Sequence, residues 1–221
     1  MARGAVRTVT VVVEAGTRRV FADALGWPGW CRSAKDEDAA LEALAGYRPR
    51  YAVVAERAGV AFRPARRFDV VERLPGNATT DFGAPGAVAA ADSRPLTAAE
   101  ARRQVALLTA AWGELDRLAV EAPETLRKGP RGGGRDRDAV VAHVVGAEQS
   151  YARMVGVRHK EPAPGDTAAV AALRHDIAAA LTAARSGDPM RERGWPARYA
   201  LRRMTWHVLD HVWEIEDKSD T

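Results

Sequence analysis

From Thr97 onward the apolar residues recur every three or four positions in four separate segments. That spacing can be buried only if each segment is a helix with one face turned inward. The first segment, PLTAAEARRQVALLTAAWGELDRLAV, opens with Thr97 and Glu100 at the separation of a capping box and continues with Val105, Leu108, Trp112 and Leu115 in line. The second begins near Asp138 and aligns Val140, Val144, Ala147 and Tyr151. The third aligns Val170, Leu173, Ile177 and Leu181, with Gly187 in the place of a helix-ending glycine. The fourth runs from about Pro196 to Asp217 with Leu201, Met204, Val208, His211 and Ile215 as its seam. Four such segments predict an up-down four-helix bundle over residues 96–221.

Before residue 75 the signals are different. TVTVVVE, residues 8–14, is β-branched and reads as a strand, and Ala15-Gly16 offers a hairpin turn into TRRVFADAL. GWPGWCRS is punctuated by Gly and Pro and leads into a helix from Asp36 to about Tyr47, with acids in its first turn where the helix dipole favours them. PRYAVVAERAG is a second helical stretch, and RRFDVVERL, residues 66–74, reads as a closing strand. The fold class expected is therefore α+β: a small β-β-β-α-β domain over residues 1–74, a Gly/Pro/Ala-rich linker or long loop over 75–95, and the bundle over 96–221.

Charge excludes some functions. The formal net charge of +4 is spread over basic residues that alternate with acids, as in ERLPG and RERG, which makes a solvated surface rather than a one-sided field for nucleic acid. The one concentrated basic run, RKGPRGGGRDRD at 127–138, reads as a solvated loop or an anion-binding loop. It lacks the strand before it and the Lys-Ser/Thr ending of a phosphate-binding loop. The N-terminal apolar run lacks the cleavage site of a signal peptide, and no run approaches the ~20 residues of a membrane span. A single cysteine, Cys31, rules out an internal disulfide and suits a reducing cytoplasm.

Two of the five histidines sit four residues apart in TWHVLDHVW. On a helix such a pair stacks on one side, so His207 and His211 can present both imidazoles to one ion. His143 lies on the apolar side of the second helix, among Val140, Val144 and Ala147. Neutral imidazole suits Zn, Ni or Fe(II), and three protein ligands with an open position is the pattern of a catalytic metal rather than a closed structural one. His143, His207 and His211 are thus the candidate ligands for a divalent metal. Each also has a plainer reading as a packed core or rim residue. Glu214 shares the face of His211 and would orient or supplement the ligands, or pair with an arginine. His159 and His175 fall in a loop and off the apolar line, and are expected in solvent. HVLDH lacks the glutamate of the zinc-protease helix, Cys31 is in no thiol motif, and Trp206 and Trp213 read as packing residues.

DRDAVVAHVVGAEQSY followed far downstream by RYALRRMTWHVLDHVWEIED resembles the DinB-like superfamily of four-helix-bundle metalloproteins. That family carries a histidine on its second helix and an H-x-x-x-H pair on its last, which match His143, His207 and His211. The resemblance covers roughly residues 95–221; the lead-in RGGGRDRD keeps the family's Arg-Asp but not its aromatic. It implies a metal-dependent transferase or isomerase that uses a low-molecular-weight thiol such as mycothiol or bacillithiol, with the metal lowering the thiol's pKa. Many members of the family have no known activity, so a non-catalytic metal- or ligand-binding stress protein is the alternative. Within residues 8–74, RRVFADALGWPGWCRSAKDEDAALEAL is similar to the HicB-like antitoxin fold. No DNA-binding helix-turn-helix is appended, so this half is expected to cover the bundle or to mediate pairing into a homodimer.

Overall fold

The computed structural model describes residues 8–129 and 133–219. The start of the N-terminal run, part of the basic loop and the last two residues lie outside that range. The fold is mixed α/β, with strands in the N-terminal part and the long helices in the C-terminal part. Strands β1 (Thr8–Ala15), β2 (Val20–Ala24), β3 (Cys31–Ala34) and β4 (Arg67–Pro75) form one sheet in the order β3-β2-β1-β4. The expected hairpin joins β1 to β2, closing at Ala15 opposite Val20, and β3 adds antiparallel to β2. The closing strand β4 pairs in parallel with β1, with a register shift between Val11 and Val12. A parallel partner needs a crossover, which α1 (Glu37–Gly46) and α2 (Arg48–Arg57) supply. Asp36 caps α1 by accepting from the Ala39 N–H at 2.9 Å.

Strand β2 is buried along its whole length, so both faces of the sheet are covered. Val20, Ala22 and Ala24 pack on one side in the cluster that includes Ala40, Leu44 and Tyr51 of the crossover helices. Phe21, Asp23 and Cys31 look the other way, toward the last helix, α7 (Ala197–Ser219). Phe21 meets Trp206 edge-on at 5.9 Å, and Tyr47 meets Trp213 at 4.9 Å. Trp206 and Trp213 therefore fasten α7 to the strand-bearing part of the chain.

The segment at 75–95 has structure of its own. It contains α3 (Ala78–Phe82), capped by Asn77, and a 3-10 turn at Ala90–Ser93. Buried Glu14 of β1 holds it, accepting from the Thr80 hydroxyl and from the Gly86 and Ala87 N–H groups at 2.9 Å each. The remaining helices are α4 (Ala98–Glu121), α5 (Arg137–Met154) and α6 (Thr167–Ala183). Helix α4 packs on α6 and α7, and α5 packs on α7 and α6. The capping box at Thr97 and Glu100 forms as expected. Buried Leu108, Leu115, Leu173, Ile177, Leu181, Leu201, Met204 and Val208 belong to one apolar cluster that continues into the sheet. A buried ion pair also joins α5 to α6: Arg174 Nε donates to Glu148 at 2.9 Å, while its Nη1 reaches Asp116 of α4 at 2.8 Å. Among the described residues no helix is long and apolar enough to cross a membrane.

Gly187 does not end the third long helix, which stops at Ala183. Its role is close approach: a Cβ there would lie 1.8 Å from the Ser93 carbonyl oxygen. Gly29 is constrained twice. Its φ is +88°, and a Cβ would come within 2.7 Å of Thr205 and Leu209 on α7. Left-handed backbone and overpacking each carry a penalty. Gly29→Ala is expected to lose about 2–4 kcal/mol of stability in urea denaturation. Gly59 also has positive φ (+65°), but with open space around it, so Gly59→Ala is expected to lose only the backbone share.

Candidate metal centre

The histidine site lies where α5 crosses α7. Buried Val140 and Val144 seat the first half of α5 in the core, and His143 falls between them at the edge of that contact. His207 and His211 stand one turn apart on α7. One ring nitrogen from each of the three histidines lies within 4.8 Å of the other two. Ring centroids are 5.2 Å apart for His143 and His207, 4.9 Å for His143 and His211, and 4.8 Å for the α7 pair. The rings are steeply inclined to one another, at 57° to 83°, an edge-to-face geometry that packed aromatics also adopt.

The electrostatics keep His143 and His207 in the form a metal needs. Burial pushes the His207 pKa down to about 2, helped by the charges of His211, Arg203, His143 and Arg135. Burial also lowers that of His143, followed by the effects of His211 and Arg135. Both rings are therefore neutral at pH 7 and carry a lone pair. His211 Nδ1 lies 2.7 Å from Glu214 Oε2. The hydrogen bond to His211, with help from Lys218, holds the Glu214 carboxyl down to about 2. A carboxylate can only accept, so Nδ1 donates, and in the neutral tautomer Nε2 is the nitrogen that holds the lone pair. This is the carboxylate–histidine arrangement that fixes tautomer and ring direction in ligating histidines. His207 Nδ1 is buried with no hydrogen-bond partner. A buried polar atom in that state calls for an explanation, and a bound cation is one. Three imidazoles, one oriented by a carboxylate and one with an orphaned nitrogen, fit a divalent metal: the three histidines lie close together and could bind one.

The other sequence candidates fall elsewhere. Glu214 pairs with His211 and with Lys218, at 2.5 Å, rather than with an arginine. His175 is exposed as expected. His159 is not free in solvent; its Nε2 contacts Asp176 at 2.8 Å and ties the loop after α5 to α6. Cys31 is packed with Phe21 and Trp206, and burial raises its thiol pKa well above the ordinary value, which makes it inert. In the described part of the basic loop, Lys128 is paired with Asp136 at 2.5 Å, and Arg127 donates to the Asp217 carbonyl at 2.8 Å.

Two residues beside the trio were not singled out as site residues by the sequence reading. The Tyr151 ring lies 5.5 Å from that of His207, and Arg203 places its guanidinium 5.4 Å from the Tyr151 ring. The available signal was spacing: Arg203, His207 and His211 repeat at i, i+4, i+8 and so share a face. Comparison of the chain with family models, curated proteins and solved structures finds no match.

Proposed function

We propose that this chain is a metal-dependent enzyme of the DinB type, acting through a small thiol. In this reading α4 to α7 are an up-down four-helix bundle. Residues 8–74 are a HicB-like accessory domain that covers it and could pair two copies. The setting is a reducing cytoplasm. His143, His207 and His211 would hold Zn, Ni or Fe(II). The observation that carries the reading is the convergence of three imidazoles from two helices, with one buried ring nitrogen left without a partner.

When bound, the metal would act as a Lewis acid and lower the pKa of a thiol such as mycothiol or bacillithiol. The chain's own residues do the rest. Glu214 engages Nδ1 of His211, which leaves Nε2 as the nitrogen that would face the metal. Burial of His207 keeps its lone pair free of a proton. Tyr151 lies beside His207, their rings 5.5 Å apart, and Trp195 packs on Tyr151 at 5.1 Å.

Purified wild type is expected to hold close to one equivalent of Zn, Ni or Fe by elemental analysis, and the His207→Ala/His211→Ala double variant close to none. Equally little metal in both would end the proposal. Turnover of an electrophile that requires added thiol, and is lost in the double variant, would separate an enzyme from a protein that only sequesters metal.

A further inference from the structure

Arg203 and Arg202 are neighbours on α7 with opposite surroundings. Arg202 is matched by two buried carboxylates, Asp23 and Asp92. Arg203 is 9% exposed, its Nη1 is buried without a hydrogen-bond partner, and no carboxylate lies within ion-pair distance among the described residues. Its neighbours are two aromatic side chains: its guanidinium lies 4.9 Å from the Trp206 ring and 5.4 Å from the Tyr151 ring, and it also bonds the Tyr151 hydroxyl. Aromatic contact offsets only part of the cost of burying an unpaired cation. The aromatic contacts leave Nη1 of the guanidinium unengaged, and a guanidinium N–H edge is what receives a carboxylate.

Arg203 lies near the histidines. Arg203 is one helical turn before His207, and Tyr151, which it touches, is 5.5 Å from the His207 ring. Glu214, the carboxylate at the trio, is already engaged by His211 and Lys218. No carboxylate among the described residues lies within ion-pair distance of Arg203 to fill that role.

We propose that Arg203 is the anion-binding half of the site, receiving a carboxylate on a small ligand whose other end binds the metal. The inference rests on the metal reading above and narrows its ligand to carboxylate-bearing small molecules. Arg203 is a positioning residue in this scheme.

The test uses the full-length protein loaded with Co2+, whose visible absorption reports both metal uptake and ligand binding. Two probes share a thiol donor and differ in charge: 3-mercaptopropionate and 3-mercaptopropionamide. Wild type is expected to bind the acid at least tenfold more tightly than the amide. Arg203→Met should bring the two affinities together without changing Co2+ uptake. Arg203→Met removes an unpaired buried charge, so it is expected to fold; Arg203→Lys keeps the charge without the fork and should retain part of the preference. Equal affinities for acid and amide in wild type, with cobalt bound, overturn the anion subsite and leave the metal reading standing. A preference that survives Arg203→Met overturns it too, since a stacking role alone leaves discrimination unmoved. A wild type that takes up no Co2+ overturns both.

Discussion

Arg202→Leu is expected to destabilise the protein by about 3–5 kcal/mol, the range for removing one partner from a buried ion pair. Arg202 Nε and Nη2 donate to the two oxygens of Asp92 at 3.0 and 2.6 Å, and Nη1 donates to Asp23. All three side chains are essentially sealed from solvent. Asp23 belongs to β2, Asp92 to the 3-10 turn before α4, and Arg202 to α7, so one guanidinium joins three parts of the chain. Burial alone would disfavour each charge. For Arg202 the two aspartates overcome it and hold the guanidinium protonated; for Asp23 desolvation prevails over Arg202 and its pKa is raised. Leucine would leave two carboxylates buried without a cation, and they can be accommodated only by taking up protons or admitting water. A loss that size is a large share of the 5–15 kcal/mol that holds an ordinary protein folded. Urea denaturation measures it directly. Arg202→Leu combined with Asp23→Leu and Asp92→Leu should recover much of the loss, because the cost lies in unpaired charge rather than in the missing attraction. A single variant within 1 kcal/mol of wild type would show that the network is solvated.

The long helices were legible because periodicity is local. Each of α4 to α7 carries its own apolar line, and Thr97 with Glu100 announces a helix start within four residues. The histidine convergence was legible for the same reason: a pair at i, i+4 has one geometry, and His143 sits on an apolar face. What escaped is what depends on distant partners. The amphipathic reading of α7 found one seam, yet nearly every residue from Ala197 to Leu209 is buried, because the sheet covers a second face. Polar residues on that face, Arg202 and Thr205, look like surface in a sequence; the partners of Arg202 are 179 and 110 positions away. Gly187 was read from its place after a helix, whereas its reason is the Ser93 carbonyl across the fold. The 75–95 segment has linker composition, but its Gly86 and Ala87 N–H groups are taken by Glu14, some 70 residues earlier. Arg203 was within reach, since it continues the spacing of the two histidines by one turn.

Zinc is expected to stabilise wild type strongly and the histidine-deleted variant not at all. A ligand that binds only the folded state adds RT ln(1 + [L]/Kd), or about 4 kcal/mol at a thousandfold excess over Kd. For a chain of this size each kcal/mol is roughly 2–4 °C in Tm, so the shift should be about 8–16 °C. The orphaned His207 Nδ1 sharpens the comparison. In EDTA the His207 imidazole carries a desolvation cost that nothing in the structure offsets. His207→Leu, close in volume and without a polar atom, is therefore expected to be no less stable than wild type under chelation. Added zinc should reverse the ranking, with wild type rising and His207→Leu staying where it was. A packed core histidine predicts a different pattern: His207→Leu would shift Tm by the same amount in EDTA and in zinc. Parallel shifts in the two conditions would remove the metal from the account of this site.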